Sequence, residues 1–383
     1  MLGKIRDFSK SVDKLYLLLC ITCSALSVLT LISWCMFNMP ETYSFFNRYH
    51  DAIVQAFAAG MGLVMALIIS RMDYHTMASL WPLHAGVAWG MVLLTFLRMG
   101  PFGYAPAGTE NYSWIVLPAG LSIQPTEIAK ISFIITFALH LSKVKEELNR
   151  PAVLWRVLLH WAAPVLLIHF QGDDGTAIIF FLIGAFMIFA AGLSYKYILA
   201  VIGVALITSP LWGPFLWDKM GAYQQNRILA LFDPDAYDET MYQQKRGQIS
   251  IGAGRITGRG LFSPDHHNVP ESNNDFIFSY LSEALGFIGS MAVILLLAAL
   301  IVKTFATGLR APDSLGGYIC VGIAGIFFSQ TLINLGMNLV LLPVIGVTLP
   351  LFSAGGTSVL TMYLSIGVVL SVYKGSKKTL FYD

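Results

Sequence analysis

The chain has 383 residues, 56% of them hydrophobic and only 12% charged, with a mean hydropathy of +0.67 and a net charge of +2. A soluble domain carries about 25% charged residues, so a soluble enzyme, a disordered chain and a coiled coil are excluded. The apolar residues come in continuous runs instead of alternating, which excludes a β-barrel, and without a basic tract nucleic acid is no partner.

A basic start (Lys4, Arg6, Lys10, Lys14) leads into the apolar run 15–37. That run exceeds the roughly 7–15 residues of a signal peptide's apolar core and reads as an uncleaved first span. Further runs long enough to cross a bilayer at ~20 residues each are 52–70, 79–97, 127–141, 154–170, 175–193, 196–217, 276–302, 315–342 and 357–373. The fold class is therefore an all-α polytopic membrane protein, one domain over 1–383 with about ten transmembrane helices. The short, polar fourth and fifth runs leave nine or eleven as alternatives. Basic residues set the orientation. Arg71, Lys143, Lys145, Arg150, Arg156, Lys196, Lys303, Arg310, Lys374, Lys377 and Lys378 fall on the side of the N-terminus, against Arg48 and Arg98 in the short loops opposite. Both termini are expected in the cytoplasm.

Cys20, Cys23, Cys35 and Cys320 all lie in apolar runs and read as small buried residues without chemistry. The segment 218–275, between the seventh and eighth spans, is expected outside. A structureless connection of that length is functional by default. It holds Arg227, Gln243, Gln244 and Gln248, then a glycine run, 252–260, that lacks the spacing and βαβ setting of a dinucleotide fingerprint. The run reads as flexible turns, with an anion-binding nest as the alternative. His266 and His267 read as solvated, and His84, His140, His160 and His169 as hydrogen-bonded interior residues. There is no 20–50-residue repeat and no inverted repeat, which weighs against a secondary transporter.

Ionisable groups at membrane depth cost about 2.5–3.5 kcal/mol each and are functional by default. Pro125 starts a helix, and Glu127 and Lys130 share one face at i, i+3. The pair either pins that helix to a neighbour or floors a polar cavity in which Lys130 meets an anionic substrate. Asp173 and Asp174 precede the sixth span, where they cap its helix or hold a cation or polar substrate. Asp275 stands where the large loop re-enters the membrane, either as an N-cap or as a general base, and Glu283 follows two turns later facing the interior. Pro343, Gly346, Pro350, Ser353, Gly355 and Gly356 break the helix beyond Asn334, as backbone lining protein or a cavity does.

Taken in order, these elements resemble the SEDS family (shape, elongation, division and sporulation), the ten-span peptidoglycan glycosyltransferases that include RodA and FtsW. Trp114 and Gln124–Pro125–Thr126–Glu127…Lys130 are similar to its W…Q-P-S-E-x-x-K element, and Gln171–Gly172–Asp173–Asp174–Gly175–Thr176–Ala177 to Q-P-D-L-G-T-A. Gln248…Gly252–Ala253–Gly254 resembles Q-x-x-I-G-S-G. Pro270–Glu271…Asp275–Phe276–Ile277–Phe278…Glu283 resembles P-E-x-x-T-D-F-I-F…E. Leu342–Pro343…Ser353–Ala354–Gly355–Gly356 resembles L-P-x-x-G-x-P-L-P-x-x-S-Y-G-G. The chain departs from these patterns at Ser113, Gly172, Asp174, Asn274, Ala284 and Ala354.

The resemblance implies polymerisation of lipid II, with a sugar 4-hydroxyl attacking and undecaprenyl pyrophosphate leaving. An α-linked donor giving a β-1,4 chain means inversion in one displacement, for which one carboxylate, Asp275, suffices. At an ordinary pKa near ~3.9 that carboxylate is ionised at neutral pH. Lys130, Arg227 or a divalent cation (Mg2+ or Mn2+) is expected to meet the pyrophosphate. Trp114, Glu127, Asp173, Gln248, Glu271, Glu283, Ser353, Gly355 and Gly356 complete the implied substrate contacts. The implied partners are a class B penicillin-binding protein (a transpeptidase) and other cell-wall elongation proteins. The implied site is the outer face of the bacterial cytoplasmic membrane. The short cytoplasmic ends favour elongation and rod shape over division or sporulation. The rival readings are a transporter of the lipid-linked precursor and a non-catalytic scaffold.

Overall fold

The computed structural model describes residues 12–105, 111–117 and 122–379. Lys4, Arg6 and Lys10, on which part of the predicted orientation rests, lie outside them. A helix overlaps every one of the predicted spans. In chain order the helices are α1 (Lys14–Asn38), α2 (Phe45–Arg48), α3 (His50–Ile69), α4 (Tyr74–Ser79), α5 (Trp81–Thr95), α6 (Pro125–Val144) and α7 (Pro151–His169). There follow α8 (Asp174–Ala190), α9 (Tyr195–Lys219), α10 (Ala222–Phe232), α11 (Asp238–Ala253), α12 (Ile277–Leu309), α13 (Ser314–Asn338) and α14 (Gly356–Thr379). Between α5 and α6 three short antiparallel strands, β1 (Phe102–Tyr104), β2 (Trp114–Val116) and β3 (Ser122–Ile123), pair in that order.

Among the described residues α1, α3, α7, α9, α12, α13 and α14 are long and apolar enough to cross a membrane. This is an integral membrane protein. Local chemistry sets the helix ends. The carboxylate of Asp13 accepts from the Tyr16 amide at 3.1 Å to start α1 and takes Lys303 of α12 at 2.8 Å. Proline opens α6 and α7, where its missing N–H costs nothing. The predicted third span starts at a break: α4 stops at Ser79 and α5 begins at Trp81 with Pro82 behind it.

The core lies where α13 meets α6, α8 and α12. Phe133, Ile134 and Phe137 of α6, Phe180 and Ile183 of α8, and Ile319, Ile323 and Phe327 of α13 are fully buried there. α14 packs along α3. α9 is the opposite case: none of its residues is buried, and Ile207 and Leu211 are 80% and 81% exposed. Lipid tails are as apolar as leucine, so such a helix loses nothing by facing them.

The segment 218–275 corrects two expectations. It is not structureless, since α10 and α11 occupy much of it. Nor is its glycine run a flexible turn. α12 breaks at Gly286 (φ 68°, ψ −169°), and residues 255–260 run into the break. There Arg259 N donates to Glu283 O (2.9 Å), Gly260 N to Ala284 O (3.0 Å), Phe287 N to Arg255 O (2.8 Å) and Ile288 N to Ile256 O (3.1 Å). A Cβ on Gly286 would run into the Gly258 amide and the Ile256 carbonyl. Gly254, Gly258 and Gly286 are there because two backbones touch.

Candidate active site

Asp275 sits between the end of the long connection and the first residue of α12. The backbone winds tightly before it: Glu271 has φ 56°, and its carbonyl accepts from both Asn274 N and Phe276 N at 3.0 Å. The Asp275 carbonyl then accepts from Asn334 Nδ2 (2.9 Å) and Asn338 Nδ2 (3.0 Å), one turn apart on α13. Ser353 is buried, donates to the Asn274 carbonyl at 2.8 Å and accepts from Leu349 N at 2.8 Å. The Ala354 amide holds the Asn273 carbonyl at 2.8 Å, and Asp51 of α3 holds the Asn273 side chain at 2.8 Å. The main chain on both sides of Asp275 is thus fixed by α3, by α13 and by the non-helical strap 339–355, whose Gly346 faces the Asp275 carboxylate.

Two charged neighbours act on that carboxylate. Its pKa is raised from 3.8 to about 7: burial is the largest cause, repulsion by Glu271 adds to it, and Arg227 acts against both. The ordinary pKa expected from sequence is therefore corrected upward. Arg227 comes from α10 and donates to the Val344 carbonyl of the strap. Gln244 of α11 donates to Met337 O and Leu342 O, both at 2.9 Å. The helices of the long connection hold the strap, and the strap faces Asp275. Lys130 is not among the charges that act on Asp275.

The model of the cell cycle protein family of FtsW, RodA and SpoVE matches residues 13–378. This chain belongs to that family. It is 29% identical over 324 residues to the peptidoglycan glycosyltransferase MrdB of Escherichia coli K12, covering 83% of this chain and 84% of that one. It is 30% identical over 345 residues to the stage V sporulation protein E of Bacillus subtilis 168, covering 88% and 90%. Among solved structures it resembles the rod shape determining protein RodA of Thermus thermophilus, with TM-score 0.64, 24% identity and coverage of 94% and 96%. It also resembles a chain of a peptidoglycan synthase complex that coordinates polymerisation and crosslinking, with TM-score 0.74, 24% identity and coverage of 95% and 98%.

The remaining SEDS motif residues fall into separate places. Glu127 and Lys130 form the ion pair their spacing predicts, at 2.7 Å and almost fully buried, with Glu127 Oε2 left without a hydrogen-bond partner. Asp173 caps α8 through the Thr176 amide (3.1 Å) and takes Gln124 Nε2 (2.8 Å) and Ser113 Oγ (3.3 Å). It ties the start of α6 to the start of α8. Trp114 lies on β2, half-buried. Gly355 N donates to Gln55 Oε1 at 3.3 Å, and Gly356 packs on Val54. Gln248 is exposed on α11, while Gln244, one turn earlier, does the buried work. Glu283 is fully buried away from the Asp275 cluster, accepting from Ser250 Oγ (2.8 Å) and paired with His267 Nδ1 (2.6 Å) and Arg259 Nε (3.5 Å). His267 and the enclosed His266 therefore serve Glu283 and are not solvated as expected. His169 is also corrected: it is exposed, against Asp174 at 2.6 Å.

Sequence reasoning passed over Gln55 and Asn338, and it named Gln244 without giving it a role. Gln55 is a lone amide in an apolar run, and Asn338 sits at i+4 from Asn334; either pattern was a usable signal. Among the described residues no three His, Cys, Asp or Glu side chains gather as a metal site. No step of the reaction proposed for Asp275 passes through a metal ion.

Proposed function

We propose that this chain is an inverting peptidoglycan glycosyltransferase that polymerises lipid II. The supporting observation is Asp275, a carboxylate brought to about pKa 7 in a rigid frame with Arg227 as its cationic neighbour. A base works best when its pKa lies near the working pH. The acceptor's 4-hydroxyl oxygen attacks the donor's anomeric carbon while Asp275 takes the hydroxyl proton. The bond from that carbon to the pyrophosphate oxygen breaks, and undecaprenyl pyrophosphate leaves. Arg227 is the cation best placed to receive the leaving charge. Glu127 and Lys130, paired in α6, are not among the charges that act on Asp275. Asp173 and Ser353 act by holding backbone, and Mg2+ or Mn2+ enters only as a companion of the substrate's pyrophosphate.

We read the ten helices that overlap the predicted runs as spans, the termini as cytoplasmic and the Asp275 end as external, in the bacterial cytoplasmic membrane. The likeness to MrdB supports a role in elongation. FtsW and SpoVE relatives match as well, and depletion separates the roles: rounded cells for elongation, filaments for division. A class B penicillin-binding protein is the proposed partner, supported by the likeness to a chain of a synthase complex. Purified lipid II given to the purified chain tests the activity. A glycan ladder is expected, whereas movement of intact lipid II from one leaflet of a proteoliposome to the other without a ladder would establish the transporter reading instead.

A further inference from the structure

Asp174 opens α8, and its two carboxylate oxygens leave in two directions. Oδ1 lies 2.6 Å from His169 Nδ1 at the end of α7, and Oδ2 accepts from Gln224 Nε2 at 2.6 Å. Gln224 stands on α10 one turn before Arg227, so the two share a face. α10 needs such an anchor. Its main packing partner is α11, and Ala230 is its one buried residue among the described side chains. Meanwhile Arg227 grips the Val344 carbonyl, and the next strap residue, Ile345, lies so close to Gly175 that a Cβ there would strike its carbonyl. The first turn of α8 therefore touches both the strap and the helix that carries Arg227.

We propose that Asp174 is a positioning residue: by clamping Gln224 it sets α10 so that Arg227 holds the strap and stays within electrostatic reach of Asp275. The proposal rests on the reading of Asp275 as the base. A carboxylate at the start of a helix also favours the helix dipole, and that effect alone would make Asp174 indifferent to Gln224 and Arg227. The clamp instead ties three separate elements together, and its loss frees the guanidinium without removing it. A displacement of about 1 Å at such a group costs up to roughly a hundredfold in rate.

The test measures initial rates of lipid II polymerisation by the full chain in nanodiscs as a function of pH. Asp174→Leu removes both contacts, Gln224→Leu cuts the clamp from the other side, and Asp174→Asn keeps an acceptor for Gln224. Both leucine variants are expected to be roughly ten- to a hundredfold slower. The midpoint of their rate–pH curves should shift to higher pH, because the charges acting on Asp275 are Glu271, which raises its pKa, and Arg227, which lowers it. Arg227→Gln should shift the midpoint the same way, and Asp174→Leu added to it should shift it no further. Asp174→Asn should retain most of the parent rate. If Asp174→Leu does not insert, Gln224→Leu carries the test.

A leucine variant that is slow at every pH with an unmoved midpoint would overturn the proposal. So would full additivity with Arg227→Gln, or an Asn variant as poor as the Leu one. Asp275→Asn is run alongside. If it polymerises normally, the base reading itself has failed; if it is dead while Asp174→Leu behaves as the parent, only the clamp has.

Discussion

Asp275 owes its acidity to neighbours of three kinds: the protein that excludes water, the anionic Glu271 and the cationic Arg227. The ionised form is the one that accepts a proton, so the polymerisation rate should be low in acid and rise with pH through about 7. Arg227→Gln removes the charge that lowers the pKa, and its midpoint should move to higher pH. Glu271→Gln removes the charge that raises it, and its midpoint should move down. Identical midpoints in all three proteins would contradict this electrostatic reading. Glu127 and Lys130 invite a different test, since their pairing is both buried and incomplete. If Lys130 serves an anionic substrate, the swap of Glu127→Lys with Lys130→Glu should be no better than Lys130→Ala while still inserting. Recovery in the swap would make the pair purely structural. Asp275, Glu127 and Lys130 were legible in the sequence because a charge in an apolar run is costly and conspicuous. The pKa of Asp275 was not, because its burial depends on tertiary packing and its charged neighbours arrive from the wound turn at Glu271 and from α10. Motif spacing places Gln248 on a helix, and only packing decides that it is exposed while Gln244 faces inward.

At the level of elements, the junction of α12 with residues 255–260 carries a conformation that only glycine adopts at low cost. Gly286→Ala should destabilise the protein by roughly 1–3 kcal/mol, seen as a lower thermal midpoint of the purified chain. Gly252→Ala should leave it unchanged, since a Cβ there meets nothing within 4 Å. Equal midpoints for both variants would mean that the close approach carries no weight. Helices longer than four or five turns were readable from hydropathy alone. α10 and α11 were not: α10 is only 11 residues long and α11 is polar on average. Both are held by contacts to the strap and to α12 that no local pattern announces. The strap itself was foreseen as broken helix from its prolines and glycines. Its partners Arg227 and Gln244, which donate to the Val344 and Leu342 carbonyls, come from remote parts of the chain.

Across the whole molecule, helices gather around α13 while α9 stands clear of them, and the groups around Asp275 collect where the long connection meets the strap. The proposed topology can be checked with single cysteines, because the four native ones are free and buried. Asp235→Cys on the long connection should react with a membrane-impermeant maleimide in spheroplasts, and Lys145→Cys should react only after permeabilisation. The reverse pattern would invert the chain and place Asp275 on the wrong side for wall synthesis. The central claim is that one carboxylate performs the proton transfer. Asp275→Asn changes little in volume and leaves the backbone contacts of Asn334, Asn338 and Ser353 in place. Glycan polymerisation of lipid II by the purified Asp275→Asn chain, compared with the parent at equal amounts of inserted protein, is the most direct measurement. Loss of the glycan ladder with an unchanged thermal midpoint is the expected result, and polymerisation within a few-fold of the parent would contradict it.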